Sequence, residues 1–212
     1  MKQIKLLGVI VCFTLVLVAC KKPEPANEAT NILINGVIYN QKPGEITQLF
    51  TYNEPFTEYG ESTLIANLKK SFELTDSFDK QLQVIADNLE KNLITKTSFQ
   101  TRLLKESKGK AKVEISVIGL NEISDDELEK MLDTELEKKM IDISDESTEA
   151  EIHQLIDEIS VNTLSMLVKE QSAKNEPNVL ILDLIVDSND SNKWAIQNEE
   201  SFFIQLFEAF GN

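Results

Sequence analysis

Residues 178–186 read NVLILDLIV, a run in which only Asn178 and Asp183 are polar. A short continuous apolar run between polar segments is typical of a strand that is buried on both faces. We therefore predict that this run is the central strand of a sheet. Asp183 would interrupt the side of that strand that also carries Val179, Ile181 and Ile185.

Two hairpins are predicted around this strand. After it, the turn-forming residues DSNDSN at 187–192 lead into a short partner strand at 193–196. Earlier in the chain, apolar and polar residues alternate at 99–103 and 113–117, on either side of the turn-forming segment at 106–110. Such alternation predicts strands with one buried and one solvated face. The sheet should then hold four antiparallel strands.

The first part of the chain is predicted to be helical. Apolar residues favour a helix over residues 29–39, although a hairpin is the alternative, because Asn35-Gly36 is a strong type I′ turn signal. A short helix should follow at 45–50. Two amphipathic helices come next, the first with Leu64, Ile65, Leu68 and Phe72 capped by Ser62, the second with Phe78, Leu82, Ile85, Leu89 and Leu93.

Two capping boxes open the helices between the hairpins. Ser124 and Thr148 are each followed three positions later by a glutamate, which satisfies two backbone amides at a helix start. The last helix is rich in phenylalanine, and Asn198 would cap it and Gly211 would end it. The predicted inner faces of the inserted pair carry Leu128, Met131, Leu132, Leu136 and Met140, and Ile152, Leu155, Ile156, Ile159, Thr163, Leu164 and Leu167.

The order of these elements predicts an α+β fold. It comprises N-terminal helices, an antiparallel four-stranded curved sheet, a helical pair inserted between its two hairpins, and a C-terminal helix. The order resembles the cystatin-like and nuclear-transport-factor-2-like cones, in which a curved sheet wraps one or two helices.

Residues 1–20 carry three signals at once. Lys2 and Lys5 precede a charge-free apolar run, residues 6–19, which ends in Leu17-Val18-Ala19-Cys20. This is typical of a secretory signal peptide, and it resembles the lipobox of bacterial lipoproteins, in which the cysteine receives a diacylglycerol before cleavage. The resemblance implies cleavage between Ala19 and Cys20, with lipid on Cys20. A membrane-spanning helix is the alternative, but 14 residues fall short of the about 20 that a bilayer requires.

We accordingly expect a signal peptide at 1–19, the lipidated Cys20 with a proline-containing tether up to residue 28, and one α+β domain over 29–212. Acyl chains would hold the mature chain on the extracytoplasmic face of the cell membrane. Lys21 and Lys22 would lie against the lipid surface. Cys12 would be removed with the signal peptide, so no disulfide is expected.

The charge of the chain restricts its partners. With 36 acidic and 21 basic residues the net charge is −15, and loss of Lys2 and Lys5 would leave 19 basic residues and −17. A surface this acidic repels nucleic acid and anionic lipid head groups, so we expect neither to be a partner of the folded body.

Three features together resemble an uncharacterised family of small surface lipoproteins of low-GC Gram-positive bacteria. They are the lipobox, the strand Val113-Glu114-Ile115-Ser116-Val117, and an apolar strand that leads through Asn192-Lys193-Trp194-Ala195-Ile196 into a Phe-rich terminal helix. The pattern of that family names no catalytic group, so the resemblance implies none here.

His153 and the segment 187–192 are candidates for a metal or catalytic site, but each is better explained by an ordinary structural role. His153, the only histidine, could share a helix face with Glu149 and Asp157 and bind a metal or act as a base, but a solvated position on an amphipathic helix is favoured. Residues 187–192 have the rhythm of a calcium loop. Asn192 and Asn198 stand where such a loop needs its glycine and its bidentate glutamate, so a hairpin turn is favoured. We predict no metal or cofactor.

Asp183 and Trp194 are the two candidate pocket residues. A buried Asp183 would need partners and would mark a pocket, whereas a partly solvated one would be ordinary, and we favour the second interpretation. Trp194 could stack on a ligand, but beside a Phe-rich helix it is favoured as a core residue.

The function predicted is therefore non-catalytic binding or interaction at the cell surface, with an unknown surface protein or small ligand as partner. A binding role would require a pocket or apolar patch lined by the sheet and the first helices. The chain lacks a nucleophile elbow, a zinc-protease motif and a phosphate-binding glycine loop. A small enzyme and a solute-binding lipoprotein are alternatives, and the released peptide at 13–19 could act as a pheromone.

Overall fold

The computed structural model describes residues 22–52, 65–66, 68–70, 74–139 and 148–211. Its helices are α1 (Ala26–Ile38), α2 (Pro43–Leu49), α3 (Asp79–Lys96, after the 3-10 turn Asp76–Phe78), α4 (Asp125–Lys139), α5 (Glu149–Glu170) and α6 (Glu199–Phe210). Its strands are β1 (Phe50–Thr51), β2 (Ser98–Ser107), β3 (Lys110–Ile118), β4 (Asn178–Val186) and β5 (Trp194–Ile196). The fold class is α+β, as predicted.

The strands form one mixed sheet in the order β1-β5-β4-β3-β2. The pairs β2/β3, β3/β4 and β4/β5 are antiparallel, and β1 lies parallel to β5. The prediction of four strands was wrong, because β1 adds a fifth. A strand of two residues is too short to show the two-residue period by which a sequence reveals a strand. The finer resemblance to a cone stays a prediction.

Strand β4 is central, as predicted, but it is buried on one face only. Leu182 and Leu184 are fully enclosed, whereas Val179 and Ile181, which point to the other face, are 58% and 40% exposed. Helices α1 and α6 contribute to the core on the enclosed face. An apolar run cannot reveal which face of a sheet the helices cover, so the expectation of two buried faces was wrong.

The predicted alternation of buried and exposed residues is confirmed along β3, but in β2 it holds only for the first residues of the strand. In β3, Val113, Ile115 and Val117 are buried, and the residues between them are not. Every residue of β2 from Arg102 to Ser107 is exposed, because β2 is the edge strand. A register shift between Leu103 and Lys105 marks a bulge in that strand.

The sheet core consists of the inner face of the sheet packed against α1 and α6. Phe210, which is fully buried, meets Tyr39 edge-on at a centroid distance of 5.9 Å and Phe99 at 6.5 Å. On β2, the Thr101 hydroxyl donates to Asn31 Oδ1 over 2.9 Å. The helix that we favoured at 29–39 is confirmed, and the hairpin alternative is wrong. The helix begins earlier, at Ala26, which is fully buried although we expected it in the tether.

A second core joins α3 to α5. Leu82 and Ile85 pack with Val161 and Val168, and Asn92 Nδ2 donates to the Val168 carbonyl over 2.6 Å. The predicted helix at 78–93 is confirmed. The helix predicted around Leu68 is helical at residues 65–66 and 68–70, while Ser62, Leu64 and Phe72 lie outside the described residues.

Both capping boxes are present. The Glu127 amide donates to Ser124 Oγ over 3.3 Å, and the Glu151 amide donates to Thr148 Oγ1 over the same distance. Not all of the predicted inner faces are buried. Leu136, Ile152 and Ile156 are 39%, 37% and 49% exposed, and Met140 lies outside the described residues.

The last helix departs from the prediction at one end. Asn198 precedes α6 with a φ of 54° and makes no capping hydrogen bond through its side chain, so the predicted cap was wrong. Gly211 ends the helix with a φ of 101°, as predicted. Across the described ranges, no helix combines the length and the apolar character needed to cross a membrane.

Candidate functional site

An open groove of about 600 Å³ lies between α4 and the C-terminal end of α5. This volume falls within the range of small-ligand sites in proteins. One wall is formed by Glu127, Lys130, Met131, Thr134 and Lys138, the other by Met166, Leu167, Glu170, Gln171 and Ser172, and the loop 121–123 lies between them.

Hydrogen bonds between distant segments fix the loop of this groove. The Asn121 amide donates to the Ser172 carbonyl over 2.8 Å, and Gln171 Nε2 donates to the Asn121 carbonyl over 3.1 Å. On the far side of α5, Lys96 Nζ donates to the Gln171 carbonyl over 2.5 Å. The end of α5 is therefore held by both α3 and the loop after β3, which fixes one wall of the groove and the loop between the walls.

The groove has a mixed lining, in which four of the 13 residues are apolar and five are charged. Met131 and Met166 supply flexible, polarisable side chains that adapt to ligands of different shape. The carboxylates of Glu122, Glu127 and Glu170 outnumber the two lysine ammonium groups. The chemistry favours an amphipathic ligand that carries positive charge.

Residues 17–211 match a family described as "Domain of unknown function (DUF5105)". The chain belongs to this family. The comparison with curated proteins finds no match. A similar solved structure is that of a candidate lipoprotein (ycdA) from Bacillus subtilis, at 15% sequence identity and a TM-score of 0.60. The similarity covers 92% of this chain and 59% of the Bacillus subtilis chain, so this chain spans about three fifths of that protein, and the likeness shows a common fold.

Asp183 lies on the solvated face of the sheet and not in the groove. It forms an ion pair with Lys112 of the neighbouring strand over 2.9 Å, and its side chain is 40% exposed. The interpretation of Asp183 as an ordinary surface carboxylate is supported. An exposed pair of this kind contributes little to stability.

Trp194 is a core residue, as favoured. It is 1% exposed, and its indole Nε1 donates to the Glu24 carbonyl over 2.8 Å. The tryptophan thereby attaches the segment before α1 to the start of β5. It does not line the groove.

His153 is a surface residue near the start of α5. Its side chain is 73% exposed, and Nε2 lies 4.0 Å from Glu149 Oε1. It stands 13 positions before Met166, which is about 20 Å along a helix, so it belongs to a different region from the groove. Among the described residues no group of His, Cys, Asp or Glu side chains could hold a metal ion.

In the loop at 187–192, the carboxylates accept hydrogen bonds from backbone amides of the same loop. Asp187 Oδ1 accepts the amides of Asn189 and Asp190 over 2.6 and 2.9 Å, and Asp190 Oδ1 accepts the Asn192 amide over 3.1 Å. These backbone amides, that of Asn189 first, lower the pKa of Asp187 below its usual range. The geometry is that of the hairpin turn that we favoured over a calcium loop.

Two of the predicted site residues, Ala19 and Cys20, lie outside the described residues. None of the groove residues was predicted to belong to a site. We expected a pocket lined by the sheet and the first helices, whereas this groove is formed by the inserted helices. The one local signal was the polar loop before the first capping box, and it does not identify its partner at 171–173.

Proposed function

We propose that this protein is a lipoprotein anchored through Cys20 to the extracytoplasmic face of the cell membrane, where its domain binds a ligand or partner without catalysis. The observation that carries the anchor is the sequence Leu17-Val18-Ala19-Cys20 behind a charged and apolar leader. The fold supports it, because Glu24 is already bonded to Trp194 and Ala26 is buried. The folded body thus begins only a few residues after Cys20.

The comparisons support the same proposal. The DUF5105 match spans the chain from residue 17, and the similar Bacillus subtilis fold belongs to a protein described as a candidate lipoprotein. Two acyl chains on one cysteine would give stable membrane attachment, which a single chain does not.

The α4–α5 groove is the proposed binding surface. Its two methionines and its one carboxylate in excess of the lysines suit a cationic amphipathic ligand, such as a basic peptide segment of a surface protein. Neither Asp183 nor His153, the polar residues considered for chemistry, lines it.

The anchor is tested by membrane fractionation and intact-mass measurement of the chain expressed in a Gram-positive host. Wild type should sediment with membranes and carry the mass of a diacylglycerol on a chain that begins at Cys20. The variant Cys20→Ser should lack the diacylglycerol mass and should keep its leader, because lipid is added before cleavage. Cys12→Ser, which changes the cysteine inside the leader, is the matched control and should be processed and lipidated like wild type. If Cys20→Ser were cleaved before residue 20 and carried the same added mass as wild type, the anchor would be wrong.

The groove is tested by native mass spectrometry of the protein purified from its own host. Wild type should retain a discrete adduct, and Met131→Lys should lose it, because an ammonium group there removes an apolar contact and repels a cationic ligand. Ile204→Lys is the matched control, since Ile204 is 52% exposed on α6 and lies away from the groove. Equal adduct on both variants would exclude the groove as its site.

A further inference from the structure

The β2–β3 hairpin concentrates positive charge on an acidic protein. Residues 102–112 contain five of the 21 basic residues and one acidic residue, in a chain whose net charge is −15. All five, Arg102, Lys105, Lys108, Lys110 and Lys112, are exposed. We call this set of residues the basic hairpin.

The side chains of the basic hairpin are not balanced within the described part of the chain. Arg102 pairs with Glu114 and Lys112 with Asp183, but no ion pair is found there for Lys105, Lys108 or Lys110. Lys105 lies directly opposite Lys112 in the register, and Asp183 already balances the charge of Lys112. Lys105, Lys108 and Lys110 are therefore the charges of the hairpin that an anion from outside the chain could balance.

The turn of the hairpin also carries a lysine where other residues are favoured. Lys108 and Gly109 both have positive φ, 51° and 72°. Such turns favour Asn, Asp or Gly at the first of these positions. The sequence places a charged residue at the tip in spite of this preference.

The basic hairpin lies at the same end of the sheet as the N-terminal segment. Trp194 donates to the Glu24 carbonyl and pairs with Val186, and the Val186 amide donates to the Gly109 carbonyl over 2.8 Å. The turn and Trp194 are therefore separated by two strand spacings, about 10 Å. In the sequence, Cys20 precedes Glu24 by four residues.

We propose that the basic hairpin binds the phosphate head groups of an anionic bilayer. This inference rests on the proposed function for the membrane on which it acts, and it adds an orientation: the hairpin end of the sheet faces the lipid. Leu103 and Leu104, 40% and 43% exposed, lie beside the lysines and suit the head-group region. The net charge led us to exclude anionic lipid as a partner of the folded body. The three lysines without an ion pair reverse that expectation for the hairpin, and the neighbouring carboxylates of Asp187 and Asp190 accept backbone amides within their own loop.

Protection of an edge strand is the competing explanation for these lysines, because lysines on an exposed edge prevent pairing with other chains. The two explanations differ in a measurable way. Edge protection needs no lipid, whereas head-group binding requires that affinity follow the charge of the lipid and fall as salt rises.

The test is co-sedimentation of the mature chain, residues 20–212 carrying Cys20→Ser, with vesicles. One set contains phosphatidylglycerol and phosphatidylcholine in equal parts, the other phosphatidylcholine alone. Binding to the anionic vesicles should exceed binding to the neutral ones at least roughly tenfold at low salt. Substituting Lys105, Lys108 and Lys110 together by Ser should weaken binding to the anionic vesicles by roughly 100-fold. This corresponds to roughly fivefold for each lysine, or about 1 kcal/mol.

The matched control substitutes Lys80, Lys91 and Lys169 by Ser, three exposed lysines on α3 and α5. It removes the same net charge and should leave binding unchanged within about twofold. Equal binding to both vesicle types, or an equal loss in both variants, would overturn the proposal. Because this chain carries no lipid, the result is independent of whether Cys20 is modified in cells. Failure of the anchor and failure of the hairpin are therefore distinguishable.

Discussion

Replacing Gly119 by alanine tests how β3, α6 and the groove are joined. A Cβ atom at this position would lie 2.0 Å from the Ala209 carbonyl oxygen and 3.0 Å from Phe210 Cα. Both are backbone atoms of α6, so no side-chain rotation can relieve the contact. The last turn of α6 would have to withdraw by about 1.5 Å to restore ordinary contact distances.

The cost follows from what that turn holds. Phe210 is fully buried against Tyr39 and Phe99, and its carbonyl accepts the Leu120 amide over 3.0 Å. Overpacking a close-packed core usually costs about 1 to 3 kcal/mol, and weakening the hydrogen bond adds to it. We expect a loss of about 3 kcal/mol, which lowers Tm by about 6 to 12 °C for a domain of this size.

The assay is thermal and urea unfolding followed by circular dichroism, with Gly44→Ala as the matched control. An added Cβ at Gly44 meets nothing within 4 Å, and Gly44 lies in α2, where alanine is favoured over glycine by about 0.5 to 1 kcal/mol. Gly44→Ala should therefore equal or exceed the wild type in Tm. Gly119→Ala with an unchanged Tm would refute the packing of α6 on β3 described above.

Three smaller changes test other contacts. Trp194→Phe removes the donor to the Glu24 carbonyl and should lower the free energy of unfolding by about 1 to 2 kcal/mol. Amide hydrogen exchange in the first turn of α1 should become faster, and unchanged exchange would contradict the prediction. Thr148→Ala should cost about 1 kcal/mol. Hydrogen bonds from the Thr148 amide and, second, from its hydroxyl lower the pKa of Glu151. The contribution of this carboxylate to folding stability is therefore fully present above the usual glutamate pKa and is lost as pH falls through the lowered value. In Thr148→Ala, an NMR titration should show the pKa of Glu151 closer to its usual value, and no change would argue against the capping box. Asp183→Asn should change stability by less than about 1 kcal/mol, and a larger loss in a urea titration would mean that its ion pair is not an ordinary surface one.

The elements that the sequence predicted well are those with local signals. The alternation in β3, the two capping boxes and Gly211 each depend on residues close together in the chain. Strand β1 was missed because its pairing with β5 joins residue 50 to residue 194, and two residues have no period of their own. The open face of β4 was missed because the coverage of a strand is decided by helices elsewhere in the chain.

The groove could not be predicted for the same reason. Its loop is fixed by bonds between Asn121 and Ser172, which are 51 positions apart. Neither segment has a periodic or compositional pattern that specifies the other. The sequence suggested Asp183 and Trp194 as candidates because a carboxylate in an apolar strand and a lone tryptophan can both bind ligands. In the structure, Asp183 instead forms an ion pair and Trp194 is a core residue. A charge averaged over the chain likewise concealed the basic hairpin.

Strand β3 relates the two proposed surfaces. Its first residue, Lys110, belongs to the basic hairpin, and three residues after Ile118, its last, stands Asn121 of the groove. Nine residues of antiparallel strand span about 27 Å between first and last Cα atoms. If the hairpin end faces the bilayer, the groove lies at the opposite end of the sheet, beyond the reach of lipid head groups. A ligand of the groove would then be a soluble or surface-exposed cationic segment and not a membrane lipid.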